Sequence, residues 1–238
     1  MNRMLNSLGI LKRLGTSGLP LAVKTFIYNS TPYFAHQKYA LIENVFKRIK
    51  KWGIPGDYFE FGLYQGKAFL SAFELKKKYN LDIHLYGFDS FEGLPEFTGK
   101  DASYGVFRPG QYACSLDHFQ KTMSNWKVPE ECYTLVPGFF DTSLHSDEVK
   151  RLPIKNCAVA YIDCDLYDST VPVLDFLTTY LTTGSIIIFD DWFSFAGDPN
   201  AGQIRAAREW LEKNKHLNLL EYQRQGNRLV FLLQGWQR

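Results

Sequence analysis

The segment AVAYIDCDLYDST, residues 158–170, is an apolar run that ends in closely spaced aspartates, Asp163 and Asp165 first among them. An uninterrupted apolar run of this length predicts a strand that is buried on both faces, as in a parallel sheet. The segment SIIIFDD, residues 185–191, repeats the pattern. Carboxylates crowded at strand ends repel one another and lose hydration, so we expect a partner that stabilises them.

Similar apolar runs alternate with helical patterns from about residue 56 onward. The predicted strands are 57–62, 83–89, 132–138, 157–163 and 185–191, and the predicted helices are 67–79, 115–126, 169–181 and 202–214. Two further strands, LNLLEYQ and RLVFLLQ, are separated by a short turn and predict an antiparallel hairpin. This order predicts an α/β, Rossmann-like fold whose seven-stranded sheet is mostly parallel, with helices on both faces.

The chain divides into two parts in this interpretation. Residues 1–55 are expected to form an N-terminal helical extension or lid, and residues 56–238 a single α/β domain. The longest irregular segment, residues 90–114, directly follows the second strand. A long loop in that position is more often functional than accidental.

Composition excludes several classes of protein. Twenty-seven basic and 25 acidic residues give a net charge of +2 without a basic block, so nucleic acid is not an expected partner. No apolar stretch reaches the length of a membrane span, and Lys12 and Arg13 interrupt the only N-terminal segment that resembles a signal peptide. The four cysteines have no metal-binding spacing. We therefore expect a reduced, cytoplasmic protein.

The first two strands end in a pattern that favours nucleoside binding. The first strand ends in EFGLYQG, which carries Glu60, Gly62 and Gly66, and glycine there permits a tight turn and close backbone approach. Asp89, followed by Ser90, closes the second strand, where a carboxylate can accept both hydroxyls of a ribose. The spacing is not that of a dinucleotide-binding loop. Glu60 suits a ligand that carries an ammonium group, and S-adenosylmethionine has ribose, adenine and an ammonium group but no phosphate.

The aspartates at the ends of the fourth and fifth strands predict a metal site. These strands are neighbours in the usual doubly wound order, so Asp163, Asp165, Asp190 and Asp191 should converge. Mg²⁺ prefers oxygen ligands and would relieve the repulsion among these carboxylates. Asp168 has a simpler interpretation as a cap at the start of the next helix. Spacing alone does not say which of the other four binds metal and which accepts a proton.

Three segments together resemble a known family. GDYFEFGLYQG, YGFDSFEGLPE and the stretch from YIDCDLYDST through IIIFDDW to AGQIRAAREW are similar to the TylF/macrocin O-methyltransferases. These belong to the class I methyltransferases, which use S-adenosylmethionine. The resemblance covers about residues 38–235 and implies Mg²⁺-dependent methylation of a hydroxyl on a sugar or glycosylated natural product.

The resemblance also implies a role for each matched residue. Cofactor contacts are implied for Glu60, Gly62, Gly66, Asp89, Ser90, Gly138 and Phe139. Metal contacts are implied for Asp163, Asp190 and Asp191, and Asp165 is implied as the general base. The partner is then a small-molecule glycoside or sugar acceptor, and we expect a homo-oligomer, a dimer or larger.

Two other classes of enzyme place aspartates in a similar pattern. A phosphatase of the haloacid dehalogenase type also places DxD after an apolar strand, and some glycosyltransferases bind metal through DxD. The chain between the two acidic segments is too short for the lysine motif of the phosphatase, and a glycosyltransferase leaves Glu60 and Asp89 without a role. A catalytically silent methyltransferase-fold subunit predicts lost acidic ligands, whereas all of them are present here.

Overall fold

The computed structural model describes residues 33–235, with side chains from residue 37 onward. Its strands are β1 (Asp57–Phe61), β2 (Leu85–Asp89), β3 (Tyr133–Pro137), β4 (Cys157–Ile162), β5 (Leu181–Phe189), β6 (Asn218–Gln225) and β7 (Arg228–Gln234). Its helices are α1 (Tyr33–Trp52), α2 (Lys67–Tyr79), α3 (Gly99–Ser103), α4 (Leu116–Asn125), α5 (Phe140–Ser143), α6 (Asp147–Lys150), α7 (Tyr167–Thr178) and α8 (Gly202–Lys213). A 3₁₀ turn occupies Glu130–Cys132.

The seven strands form one sheet in the order β3-β2-β1-β4-β5-β7-β6. The first five strands pair in parallel, and β7 pairs antiparallel with both β5 and β6. This confirms the predicted seven-stranded, mostly parallel sheet with a C-terminal hairpin. The strand order reverses between β1 and β4, which is where ligands bind in open sheets of this type.

The register brings the carboxyl ends of the central strands to one level. Phe61 of β1 pairs with Ile162 of β4, and Ile162 pairs with Phe189 of β5. The residue after each of these positions therefore lies at the same edge of the sheet. Asp163 and Asp190 are brought together in this way.

Helices cover the sheet on both faces, because side chains of successive strand residues point to opposite faces. Tyr58, Val159 and Tyr161 pack with apolar residues of α1, α2 and α4. The intervening residues Phe59 and Ala160 pack with α7 and α8 on the other face. The buried strands β4 and β5 therefore have apolar side chains on both faces, as their sequences predict.

Helix α1 belongs to the same core as the sheet. Leu41, Ile42, Val45, Phe46 and Ile49 recur at helical spacing and are almost fully buried. Residues 1–32, the other part of the predicted extension, lie outside the described residues. None of the helices that the structure describes combines the length and the apolar character needed to cross a membrane.

The segment after β2 has more structure than the sequence indicated. Helix α3 lies within the loop predicted at 90–114, and Gly110 N donates to Leu94 O at 2.8 Å, which closes the base of the loop. Phe107 packs with Leu166 and Phe195 in a small apolar cluster of its own. The loop is thus anchored on the segments that follow β4 and β5.

Candidate functional site

A cavity of about 710 Å³ lies beyond the carboxyl ends of β1, β2, β4 and β5. Its wall includes eight of the predicted site residues, namely Gly62, Asp89, Ser90, Phe139, Asp163, Asp165, Asp190 and Asp191. Residues Leu94–Glu96 and Gln111–Tyr112 of the loop after β2 form another part of the wall. The predicted cofactor and acid residues therefore share one cavity.

Three of the aspartates form a compact acidic group. Asp163, Asp190 and Asp191 each offer a carboxylate oxygen, and these oxygens lie within 4.8 Å of one another. Asp165 also lines the cavity and is 8% exposed. Each residue is placed by the end of β4 or β5, so the geometry is fixed by the central part of the sheet.

Asp190 is held by two cationic side chains and a tyrosine. Arg228, the first residue of β7, donates from Nε to Asp190 Oδ1, and Tyr161 donates its hydroxyl proton to the same oxygen. Lys38 Nζ lies 3.1 Å from Asp190 Oδ2. Burial raises the pKa of Asp190, but Lys38 and Arg228 outweigh burial and leave the pKa below its ordinary value.

Lys38 also pairs with Asp163, at 2.5 Å between Nζ and Oδ2. It comes from the second turn of α1, so this helix covers the acidic group from one side. The four aspartates Asp163, Asp165, Asp190 and Asp191 thus face Lys38 and Arg228 as cations. Among the side chains described, about two negative charges are left without a counter-charge, which a divalent cation would neutralise.

The pKa values of Asp165 and Asp191 are raised by this arrangement. Burial, and then the charge of Asp190, raises the pKa of Asp191 to about 6. Burial, and then the charges of Asp191 and Asp163, raises the pKa of Asp165 well above its ordinary value. Loss of hydration and mutual repulsion favour the neutral form of a carboxyl group in this way. A cation placed among them would act in the opposite direction.

The acidic group fits Mg²⁺. The Oδ2 atom of Asp191 is buried and has no hydrogen-bond partner within the described part of the chain. A buried carboxylate oxygen without a partner is costly, and it is explained if the oxygen binds a cation. Oxygen donors from Asp163, Asp190 and Asp191 match the ligand preference of Mg²⁺.

Asp165 has an unusual backbone conformation. Its φ angle is +61°, a left-handed conformation that residues other than glycine seldom adopt. Leu166 N donates to Cys164 O at 2.6 Å and closes a tight turn around Asp165. The turn leads directly into α7. Backbone strain of this kind is common at functional sites.

The turn after β1 is shaped by close backbone contacts. A Cβ atom on Gly62 would lie 2.0 Å from Asp163 O, so only glycine fits there. Asp89 Oδ2 accepts from Leu63 N at 2.5 Å and from Tyr64 N at 3.2 Å, and its Oδ1 accepts from Phe91 N at 2.6 Å. Asp89 therefore orders the turn and still lines the cavity.

Three predicted cofactor residues do not line the cavity. Glu60 is 1% exposed and accepts a hydrogen bond from the Tyr58 hydroxyl at 2.5 Å. The two residues are two positions apart in β1, so their side chains point to the same face of the sheet, the one covered by α1. A Cβ atom on Gly66 would lie 2.9 Å from the Phe119 ring, so this glycine permits helix packing. Gly138 N donates to Asp89 O, which joins β2 and β3 beside the wall. Cofactor contact by these residues stays a prediction.

Sequence reasoning missed the residues that come from other elements. Lys38 lies in a helix that looked separate from the sheet, and no spacing links it to the acids. Arg228 had a usable signal, because an antiparallel β7 must begin where β5 ends. Tyr64 and Tyr112 are exposed aromatic residues at the cavity, with ring centroids 5.5 Å apart. Their rings offer an apolar surface to a bound molecule.

Comparison with known proteins identifies a family. The family described as Macrocin-O-methyltransferase (TylF) matches residues 32–216. Mycinamicin III 3''-O-methyltransferase of Micromonospora griseorubida is 28% identical over 148 residues, which are 59% of this chain and 56% of that protein.

A second curated relative has a name that specifies a sugar. It is the 8-demethyl-8-(2,3-dimethoxy-alpha-L-rhamnosyl)-tetracenomycin-C 4'-O-methyltransferase of Streptomyces olivaceus, 31% identical over 149 residues, or 59% of this chain and 54% of that protein. The chain thus spans about half the length of these curated relatives. The solved structure of the O-methyltransferase NovP has the same fold, with a TM-score of 0.70 and 22% identity over 84% of this chain and 80% of that one.

Proposed function

Because the chain belongs to the macrocin-O-methyltransferase family, we propose that it is a Mg²⁺-assisted O-methyltransferase that uses S-adenosylmethionine. The proposed acceptor is a hydroxyl group of a sugar or glycosylated natural product. One observation carries this proposal: the acidic group of Asp163, Asp190 and Asp191 opens into the same cavity as Asp89 and Asp165. A methyl donor and a deprotonated hydroxyl have to meet in such a cavity.

The β1–β2 side of the cavity supports the cofactor assignment. Asp89 closes β2 and lines the cavity, where its Oδ1, which accepts one backbone hydrogen bond, can also accept from a ribose hydroxyl. Gly62 has no side chain to block the approach of a ligand to the backbone of the turn. Phe139 follows β3 and lines the same cavity, where an aromatic ring could pack against adenine.

The β4–β5 side supports proton removal from the acceptor. Asp165 would accept the proton of the acceptor hydroxyl while the oxygen forms a bond to the methyl carbon and the bond from that carbon to sulfur breaks. When bound, S-adenosylmethionine supplies the electrophilic methyl group and Mg²⁺ lowers the pKa of a hydroxyl beside it. Asp163, Asp190 and Asp191 would hold the cation, and Lys38 and Arg228 would hold these carboxylates in place.

The remaining wall supports a sugar acceptor. Tyr64 and Tyr112 present aromatic rings beside the acids, and such rings pack against the apolar face of a sugar. The name of the relative from S. olivaceus specifies a rhamnosyl group, which gives the same class of acceptor. The carboxylates and tyrosines together would bind a hydroxyl-rich molecule that has an apolar face.

The alternative functions have less support. A phosphatase or glycosyltransferase with a DxD site leaves Asp89 without a role on the cavity wall, and neither is the activity in the names of the relatives. A catalytically silent subunit would have no reason to retain four aspartates around one cavity, since their repulsion lowers stability. Measured methyl transfer to any glycoside would exclude the silent subunit.

Calorimetric titration with S-adenosylhomocysteine, with and without Mg²⁺, tests the proposal. We expect binding in both conditions, because neither Asp89 nor Gly62 is among the residues that would hold the cation. A screen of glycosides with labelled S-adenosylmethionine then identifies the acceptor. Absence of any S-adenosylhomocysteine binding by folded protein would overturn the proposed function.

A further inference from the structure

A buried carboxylate from the loop after β2 caps two helices at once. Asp101, in α3, is 6% exposed. Its Oδ2 accepts from Tyr167 N at 2.7 Å and its Oδ1 from Gly202 N at 2.9 Å. Tyr167 and Gly202 are the first residues of α7 and α8, so each oxygen satisfies an amide that has no partner within its own helix. The acceptor lies 66 and 101 positions away from these donors.

Each of the two helices follows one of the acidic segments. Helix α7 begins two residues after Asp165, and α8 is the next helix after Asp190 and Asp191. Negative charge at a helix N-terminus is also favoured by the helix dipole, which here acts on a buried carboxylate. Asp101 therefore fixes both helix starts relative to one point of the loop.

The first turn of α8 carries a second buried link. Gln203 directly follows Gly202 and is 1% exposed. Its Nε2 donates to Ile162 O at 3.1 Å, and its Oε1 accepts from Asp191 N at 3.0 Å. The amide group thus ties the last residue of β4, which precedes Asp163, to the backbone of Asp191. Both polar ends of the side chain are used.

We propose that Asp101 and Gln203 are positioning residues that hold the two acidic segments in register, and that the folded loop at 94–114 is thereby part of the acidic site. The path is continuous: Asp101 binds Gly202 N, and the neighbouring Gln203 binds Ile162 O and Asp191 N. Asp101 also binds Tyr167 N, which directly follows the turn that contains Asp165. The role of these segments in binding metal and acceptor rests on the proposed function.

The strained turn at Asp165 explains why such links are needed. A left-handed conformation at a residue other than glycine is less stable than the ordinary one, so the turn relaxes unless neighbouring bonds hold it. Tyr167 N, two residues further on, is held by Asp101. Loss of this bond would let Asp165 move within the cavity without unfolding the sheet.

Hydrogen–deuterium exchange tests the proposal on the full chain. The variants are Asp101→Asn and Gln203→Leu, with Lys121→Ala as the control, since Lys121 pairs with Asp117 at 2.7 Å on the surface and both residues lie outside the two acidic segments. We expect exchange in peptides covering 162–170 and 190–203 to become about tenfold faster in the two variants and to be unchanged in the control. Two variants are used so that one can still be measured if the other fails to fold.

Mn²⁺ affinity, measured by electron paramagnetic resonance, is the second readout. We expect it to fall about tenfold in Asp101→Asn and Gln203→Leu, while S-adenosylhomocysteine affinity stays within about twofold of the wild type. Exchange that is unchanged, or that rises uniformly through the sheet, would overturn the positioning role. A wild-type protein that binds neither Mn²⁺ nor S-adenosylhomocysteine would refute the proposed function instead, and the exchange data would still decide this inference.

Discussion

Lys38 Nζ lies 2.5 Å from Asp163 Oδ2, although the two residues are 125 positions apart in the chain. The pair joins the N-terminal half of α1 to the end of β4. Lys38 lies only 3.1 Å from Asp190 as well, so one ammonium group serves both strands that carry the acids. Helix α1 is therefore part of the site and not only a cover for the core.

Replacement of Lys38 by methionine should destabilise the protein when no divalent cation is present. Removing one partner of a largely buried ion pair leaves repelling carboxylates behind, and we expect the free energy of unfolding to fall by about 2 kcal/mol. Added Mg²⁺ should then raise the melting temperature more in Lys38→Met than in the wild type. Thermal and urea unfolding, with and without Mg²⁺, measure both effects.

Lys47→Met is the matched control, because Lys47 lies on the same helix and pairs with Glu43 at 3.8 Å on the surface. Exposed pairs of this kind contribute less than about 1 kcal/mol, so its stability should change little. A Lys38→Met protein as stable as the wild type without Mg²⁺ would contradict the interpretation of this ion pair.

Replacement of Asp165 by asparagine should abolish most turnover and leave cofactor binding intact. An amide cannot take up the proton of the acceptor hydroxyl, and loss of a general base lowers kcat by at least about a hundredfold. The affinity for S-adenosylhomocysteine, measured by calorimetry, should stay within about twofold of the wild type, because Asp89 is untouched. Asp175→Asn, an exposed change in α7 away from the cavity wall, should keep full turnover. Equal loss in both variants would argue against Asp165 as the base.

Removal of divalent metal should stop methyl transfer and spare cofactor binding. Loss of a cation that stabilises a developing oxyanion costs several kcal/mol, which is a decrease in rate of at least about a hundredfold. Activity is measured after EDTA treatment and again after Mg²⁺ is added back, with Ca²⁺ or Na⁺ at matched ionic strength as the control. Full turnover in metal-depleted protein would refute the metal assignment.

Replacement of Gly62 by alanine should disrupt the junction of β1 and β4. The new Cβ atom would lie 2.0 Å from Asp163 O, and φ is +90° at this position, so we expect a loss of more than about 3 kcal/mol in unfolding free energy or a failure to fold. Gly105→Ala is the control, since Gly105 has a φ of +64° but no atom within 4 Å of its Cβ position. Its cost should be about 1–2 kcal/mol, from backbone conformation alone. Similar losses in both variants, seen in urea unfolding, would show that the close contact does not matter.

The sheet could be predicted because its determinants are local. An apolar run of buried residues followed by aspartate, as at Ile162–Asp163 and Phe189–Asp190, specifies both a parallel strand and the end of it. The convergence of the acids then follows from the register, because buried parallel strands have little freedom to slide past one another. The hairpin was equally clear from two apolar runs with a short turn between them.

The missing parts of the site depend on contacts that spacing does not encode. The sequence favoured Asp168 as the cap of α7, but this helix begins at Tyr167 and Asp168 lies inside its first turn, exposed. The side chain that binds the first amide is Asp101, from a different segment. No local pattern distinguishes a carboxylate that caps a distant helix from one on the surface, so Asp101 and Gln203 could be found only in the folded chain.

The position of Asp101 limits how the wall of the cavity could be redesigned. Residues 94–96 and 111–112 of the loop after β2 form part of the cavity wall, so this loop is the segment that a protein engineer would exchange first. A graft that changes the wall but lacks a buried carboxylate at the place of Asp101 would leave the amides of Tyr167 and Gly202 without an acceptor. The loop at 94–114 and the turn at Asp165 therefore have to be redesigned together, as a single module.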